Sequence, residues 1–271
     1  MALLIAQLSD LHVRREGELV CGRVDTGAAL QRAIGAVMAL SPLPDAVLLT
    51  GDLVDAGDDE DAYRHLRRLL SPLTMPWYPI PGNHDGRDAL RRVFADRLVV
   101  AHDPHFVHYT VDDFPVRLVF LDTLDPGSGA GLLDAARLLW LRERLAETPD
   151  RAVMIAMHHP PFETGIAFMD AIACVGADGL EAPIRAHGRV ERIVCGHLHR
   201  SVTASFAGSV ACSAPSTAHQ LRLDLRPFDT SPGAFMLEPP GFLLHRWTPA
   251  AGFATHGIAI GSYPGPFPFV D

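Results

Sequence analysis

The sequence has few cysteines, a deficit of positive charge and no long apolar run, and each lack narrows the possibilities. Its four cysteines, Cys21, Cys174, Cys195 and Cys212, show neither C-x-x-C spacing nor the density of a disulfide scaffold. Reduced thiols in a cytoplasmic protein are the default reading, with a Cys174–Cys212 bridge left open by sequence. Lys and Arg total 23 against 32 Asp and Glu, a formal net charge of −9. No basic stripe offers itself to a nucleic-acid polymer or an anionic membrane surface. No apolar stretch reaches bilayer-spanning length. Leu3 to Leu8 is too short for a signal core, has no basic flank and runs directly into Asp10. Internal repeats and low-complexity segments are absent. What remains is an ordinary soluble composition, 48% apolar and 20% charged over 271 residues, enough to bury a sizeable core. An acidic protein acting on an anion would need positive charge from outside its side chains, and bound metal is one source.

The chain alternates apolar runs with helical periodicity. Leu3 to Leu8, Asp45 to Thr50, Trp77 to Ile80, Val116 to Leu121, Ala152 to Met157 and Val190 to Cys195 read as buried strands. Val24 to Leu40, Asp58 to Leu70, Asp88 to Phe94, Leu132 to Glu147 and a stretch near Leu180 to His187 read as helices. Such alternation predicts an α/β core with substantial parallel pairing. Between Val99 and Val111 the pattern is less regular, and His102, His105 and His108 are expected to be solvated. After Val202 the helical period disappears. Thr203 to Ser213, Gly241 to Trp247 and Ala254 to Ile260 read as strands of an antiparallel extension of the core, interrupted by a Pro/Gly/Phe-rich loop from Pro227 to Pro240.

Chemistry gathers just past the carboxyl ends of the strands, the edge at which open α/β sheets place their sites. Asp10-Leu11-His12, Gly51-Asp52-Leu53-Val54-Asp55, Gly82-Asn83-His84-Asp85, His158-His159-Pro160-Pro161 and Gly196-His197-Leu198-His199 all lie there. Asp10, His12, Asp52, Asn83, His158, His197 and His199 make two carboxylates, one amide and four imidazoles, with no thiol. That donor set suits Mn, Fe, Zn or Co, and is too nitrogen-rich for calcium. Seven ligands exceed what one ion with an open position takes from protein, so two ions sharing one carboxylate fit better. Asp52, central in chain order and beside Gly51, is the natural bridge. Asp85 and His159 are expected to stand behind the ligands.

This ordered series resembles the calcineurin-like metallophosphoesterase family, whose pattern is D-x-H, G-D-x-x-D, G-N-H-[DE], H and G-H-x-H. The matching blocks run from Asp10 to His199, and the resemblance implies an α/β/β/α sandwich of two mixed sheets flanked by helices. It implies that Asp10, His12 and His199 hold one divalent ion, that Asn83, His158 and His197 hold a second, and that Asp52 bridges them. A hydroxide between the ions would attack phosphorus in line. His84 is expected to contact the phosphate or protonate the leaving group, with Asp55 orienting it. Asn83 would also touch substrate.

Shorter matches, from Arg14 to Asp25 and around Phe168-Met169-Asp170, Thr217-Ala218-His219-Gln220 and Leu243-Leu244-His245-Arg246, resemble bacterial class III cyclic-nucleotide phosphodiesterases and their glycerophosphodiesterase relatives. They imply a substrate contact at His219 and a cap or subunit-contact loop over residues 220–240. The expectation is a single domain over 1–271, a homo-oligomer of dimer or higher order, hydrolysing cyclic nucleotides of the 3′,5′-cAMP kind or other small phosphodiesters. Only Arg200 among the arginines adjoins a motif, which favours a diester monoanion over a monoester dianion. The alternatives are a glycerophosphodiesterase or a phosphomonoesterase or protein phosphatase on the same site.

Overall fold

The computed structural model describes residues 2–98, 103–228 and 233–269, so His102 and part of the 220–240 loop lie outside the described residues. β1 (Leu3–Leu8) is followed by α1 (Thr26–Met38), β2 (Ala46–Thr50), α2 (Glu60–Leu69), β3 (Trp77–Ile80) and α3 (Arg87–Val93). Then come β4 (Tyr109–Val111), β5 (Arg117–Leu121), β6 (Gly131–Leu132), α4 (Ala135–Ala146) and β7 (Val153–Met157). A single turn α5 (Ala167–Asp170), β8 (Cys174–Val175), α6 (Glu181–His187) and β9 (Val190–Cys195) lead to the hairpin β10 (Val202–Phe206) and β11 (Ser209–Ser213). Short β12 (Gln220–Leu221) and β13 (Phe235–Met236) precede a long hairpin, β14 (Gly241–Thr248) and β15 (Gly252–Ala259).

Two mixed sheets result, ordered β15-β14-β1-β2-β3 and β10-β11-β9-β7-β5-β4. Within them β1, β2 and β3 are mutually parallel, as are β5, β7, β9 and β11. The continuous apolar runs follow from burial on both faces. In β7, Met154 and Ala156 pack into the core shared with the first sheet, while Val153, Ile155 and Met157 face Leu141, Leu145 and Ile184 of the helices outside. β5 alternates likewise, with Leu118 and Phe120 inward and Val119 and Leu121 outward. The layers are therefore helix, sheet, sheet, helix, as the resemblance implied.

Local chemistry sets the helix starts. Asp25 accepts from Ala28 N, Asp59 from Asp61 N and Ala62 N, and Asp134 from Arg137 N. α2 opens on Glu60 and Asp61 and closes on Arg67 and Arg68, matching its dipole. No helix among the described residues is long and apolar enough to cross a membrane.

The antiparallel C-terminal extension of the core is present: β14 pairs antiparallel with β1 and with β15 at the edge of the first sheet, and the β10–β11 hairpin joins the second through a parallel β11–β9 pairing. The structure corrects two expectations. Thr203 to Ser213 is not one run, because Ala207-Gly208, both with positive φ, turn it into the β10–β11 hairpin. His108 is buried rather than solvated. Its Nδ1 accepts from Asp122 N at 3.0 Å and its ring stacks on Trp140 at 4.6 Å between centroids. Asp122 is itself fixed by Arg87 at 2.6 Å. All four thiols are free.

Candidate metal centre

Strand ends from both sheets converge on one cleft. Asp10 and His12 follow β1, Asp52 follows β2 and Asn83 follows β3, all in the first sheet; His158 follows β7, and His197 and His199 follow β9, in the second. The D-x-H and H-x-H spacings work because the residue between, Leu11 or Leu198, is buried as an anchor. The flanking side chains are then thrown to the opposite side. That turn demands an unusual backbone. Asp10, His12, Asp52, His197 and His199 have φ of 52°, 45°, 49°, 70° and 48°. A left-handed conformation costs an L residue on the order of 1–2 kcal/mol. Among the described residues only Cys21 and Ala207 join them outside glycine, so the strain is concentrated at the cleft, where function is a reason to store it. The glycines beside them allow close approach. A Cβ on Gly196 would fall 2.1 Å from Ser9 Oγ, and one on Gly51 2.3 Å from His158 Nδ1.

The seven side chains separate into two groups joined by Asp52. His12 Nε2 lies 3.0 Å from His199 Nε2 and 3.4 Å from Asp52 Oδ2, and His199 Nε2 lies 3.6 Å from Asp10 Oδ1. On the other side, Asn83 Oδ1 is 3.1 Å from His158 Nε2 and 3.0 Å from His197 Nδ1, while His158 Nε2 is 3.5 Å from Asp52 Oδ1. Each oxygen of one carboxylate thus faces a different cluster.

The hydrogens of these imidazoles are engaged elsewhere. His158 Nδ1 donates to Thr50 O at 2.8 Å, His199 Nδ1 to His219 O at 2.9 Å and His197 Nε2 to Ile172 O at 3.2 Å. Their other nitrogens therefore present lone pairs toward carboxylate and amide oxygens that are also acceptors. Buried Asp10 Oδ2 has no hydrogen-bond partner. Acceptors converging on acceptors are satisfied by a cation or a proton between them, and this donor set fits a pair of divalent ions. The electrostatics agree. Burial would hold His158 uncharged, but Asp52 overrides it and lifts its pKa to about 9. Burial would likewise raise Asp52, yet His158 and His12 hold it well below the carboxylate range. Protons stand where cations are wanted. Burial raises Asp10 to about 6 and pushes His197 and His199 down to about 3.

The surrounding residues play distinct parts. Asp85 ties the motif loops together, accepting from Leu53 N at 3.0 Å, Val54 N at 3.2 Å, Gly82 N at 2.8 Å and Tyr63 Oη at 2.8 Å. His159 sits behind the ligands, bonded to Thr123 Oγ1 at 2.8 Å with its ring 4.5 Å from that of His197. Asp55 holds His84 mainly through its backbone, with His84 Nδ1 3.0 Å from Asp55 O and 4.0 Å from Asp55 Oδ1. Its carboxylate lies nearer His12, 3.4 Å from Nδ1. His219 lines the cleft and lends its carbonyl to His199. Arg200 turns away from the centre, to Leu221 O at 2.6 Å and Glu238 at 2.9 Å.

The open cleft of about 400 Å³ has an apolar wall that sequence reasoning missed, made of Met169, Ile172, Leu221, Phe168 and Phe235. Cys21 also lines it. The positive φ at Cys21 has no signal in its residue type, and apolar residues in irregular segments carry no period to betray a shared wall. Among the described lining residues none is an arginine, and the chain has no lysine.

The sequence profile of the calcineurin-like phosphoesterase family matches residues 3–201. A protein of Arcobacter nitrofigilis named probable glycerophosphodiester phosphodiesterase GpdQ is 36% identical over 270 residues, 99% of this chain and 97% of its own. A probable cyclic nucleotide phosphodiesterase of Rhodopseudomonas palustris is 33% identical over 239 residues, 87% of this chain and 85% of its own. Among solved structures, a dimetal phosphatase from Danio rerio superposes with a TM-score of 0.62 at 14% identity, covering 96% of this chain and 99% of its own. That last likeness speaks for the fold alone.

Proposed function

The chain belongs to the calcineurin-like phosphoesterase family, and from that premise we propose that it is a dinuclear-metal hydrolase of small phosphodiesters. Asp10, His12 and His199 would hold one ion, Asn83, His158 and His197 the other, with Asp52 between them. Two divalent ions there, Mn, Fe, Zn or Co by the donor chemistry, would supply Lewis-acid charge to the phosphoryl oxygens and acidify water. The carrying observation is Asp52, whose two oxygens lie 3.4 Å from His12 and 3.5 Å from His158.

The chain's own residues do the rest. His84, with Nδ1 donating to the Asp55 carbonyl, presents Nε2 to the cleft, within reach of a phosphoryl oxygen or a departing alkoxide. It can donate there as the imidazolium. Asn83 and His219 flank the same space. With no arginine or lysine in that lining, the ions and His84 would balance the substrate, which suits a diester's single negative charge better than a monoester's two. The end-to-end similarity to the GpdQ relative supports glycerophosphodiesters. The apolar wall of Phe168 and Phe235 supports a second substrate, a cyclic nucleotide whose base would lie against it. Exposed Leu223, Leu225, Phe228 and Leu237 support a subunit-contact role for the 220–240 segment.

The test is a rate comparison on Mn-reconstituted protein. Bis-p-nitrophenyl phosphate should be hydrolysed with a higher kcat/KM than p-nitrophenyl phosphate, and a clear monoester preference would refute the diester reading. Glycerophosphodiesters and 3′,5′- and 2′,3′-cyclic nucleotides in the same panel decide between the substrate classes.

A further inference from the structure

One buried polar chain lies outside the metal ligands and joins the two sheets beneath them. Gln7, on β1 of the first sheet, is fully buried in a strand otherwise apolar. Its Nε2 donates to Thr50 Oγ1 at 2.9 Å and, across the sandwich, to Cys195 O at 2.8 Å. Its Oε1 lies 3.0 Å from Nε2 of His245, itself fully buried on β14, and His245 Nδ1 lies 2.9 Å from Thr255 Oγ1 on β15. With both amide hydrogens of Gln7 engaged, its oxygen must receive from His245 Nε2–H. Nδ1 then accepts from the Thr255 hydroxyl. An inverted amide would set its oxygen against the Cys195 carbonyl and two acceptors would repel. His245 therefore fixes which way Gln7 points.

The two groups Gln7 holds are not arbitrary. Thr50 closes β2 immediately before Gly51-Asp52, and its own carbonyl accepts from His158 at 2.8 Å. Cys195 closes β9 immediately before Gly196-His197-Leu198-His199. Each proposed ion takes ligands from both sheets, so the registry between β2 and β9 decides whether the clusters meet. Apolar contacts between sheets are non-directional and tolerate sliding, whereas this pair of hydrogen bonds does not.

We propose that Gln7 and His245 are positioning residues that hold the two halves of the metal centre in register, so that a bridged pair of ions forms. The inference rests on the dinuclear reading above. Residues supporting metal ligands are worth about 10- to 100-fold in metal affinity. The experiment titrates Mn(II) into the full-length metal-free protein, by calorimetry and by electron paramagnetic resonance, for wild type, Gln7→Leu, His245→Leu, His245→Gln and Trp247→Phe. Wild type should take up two ions per chain with an exchange-coupled spectrum. In Gln7→Leu and His245→Leu the second equivalent should bind about 10- to 100-fold more weakly and give the sextet of isolated Mn(II). His245→Gln, whose amide can still donate to Gln7, should recover the coupled spectrum. Trp247→Phe removes another inter-sheet bond, to Glu191 at 2.7 Å at the opposite end of β9, and should lower stability while leaving the coupled pair intact. If Gln7→Leu does not fold, the two His245 variants carry the test. A coupled pair of wild-type affinity in the Leu variants, or its equal loss in Trp247→Phe, overturns this inference alone. A wild type that binds no pair overturns the dinuclear reading, and this inference with it.

Discussion

Loading the centre with metal at pH 7.5 should expel at least about one proton per chain, so that affinity rises with pH. Ligation takes the Nε2 lone pairs of His12 and His158. In the metal-free protein burial opposes charge on His158, but the Asp52 carboxylate lifts its pKa to about 9, so at pH 7.5 it is an imidazolium. His12 is raised in the same way, Asp55 and Asp52 overriding burial. His197 and His199, held near 3 by burial, have no proton to give up. Asp10, raised by burial to about 6, joins only as pH approaches that value. The logarithm of the metal affinity should therefore rise by at least about one per pH unit near neutrality, more steeply toward pH 6, and level off above about 9. Calorimetric titration with Mn(II) in buffers of different protonation enthalpy counts the protons directly. Stability follows the same linkage. A histidine raised from 6.5 to about 9 contributes stability that is full below 6.5 and lost as pH rises through 9. At 1.36 kcal/mol per unit this is about 3 kcal/mol. The gap in Tm between metal-loaded and metal-free protein should therefore widen from pH 6.5 to 9. No proton released at pH 7.5, or a gap that narrows, would refute the reasoning.

Three further outcomes are expected. Asp52→Asn keeps the shape but removes the shared charge; one ion per chain should remain by elemental analysis, and kcat/KM on bis-p-nitrophenyl phosphate should fall about a thousandfold, roughly 4 kcal/mol of barrier. Gly82→Ala would place a Cβ 2.3 Å from both Asp52 N and Asp52 Oδ1, so metal content should drop along with Tm, whereas Gly35→Ala, with nothing within 4 Å, should leave metal content unchanged. His108, depressed by burial to about 4, binds its proton only in the unfolded chain between pH 6.5 and 4, so stability present above 6.5 is lost as pH falls through that window. His108→Gln keeps an acceptor for Asp122 N, and urea denaturation between those pH values should show a slope shallower by about 1.4 kcal/mol per unit.

Much of the centre is legible in the chain because its requirements are local. A carboxylate or imidazole past the end of a buried strand is visible as a residue type at a place, and Asp10, His12, Asp52, Asn83, His158, His197 and His199 are brought together as that placement predicts. Asp55 shows where such reading stops. Its position in G-D-x-x-D is plain, but whether it holds His84 by side chain or by carbonyl is a matter of 3.0 Å against 4.0 Å in a loop. His108 shows another limit. A histidine in an irregular segment looks solvated until Trp140, more than thirty positions on, is folded over it.

Residue types and their spacing settled by themselves the alternation of strand and helix and the oxygen and nitrogen donors at the strand ends, because periodicity and side-chain chemistry are properties of the chain. Tertiary structure alone decided the rest: that β14 extends the first sheet beside β1 and β11 the second beside β9, that one cleft wall is apolar and uncharged, and that Gln7 reaches across to Cys195. Those facts depend on groups as far apart as Gln7 and His245 meeting at hydrogen-bond distance. No local pattern encodes such a meeting, since it is fixed only when both sheets pack.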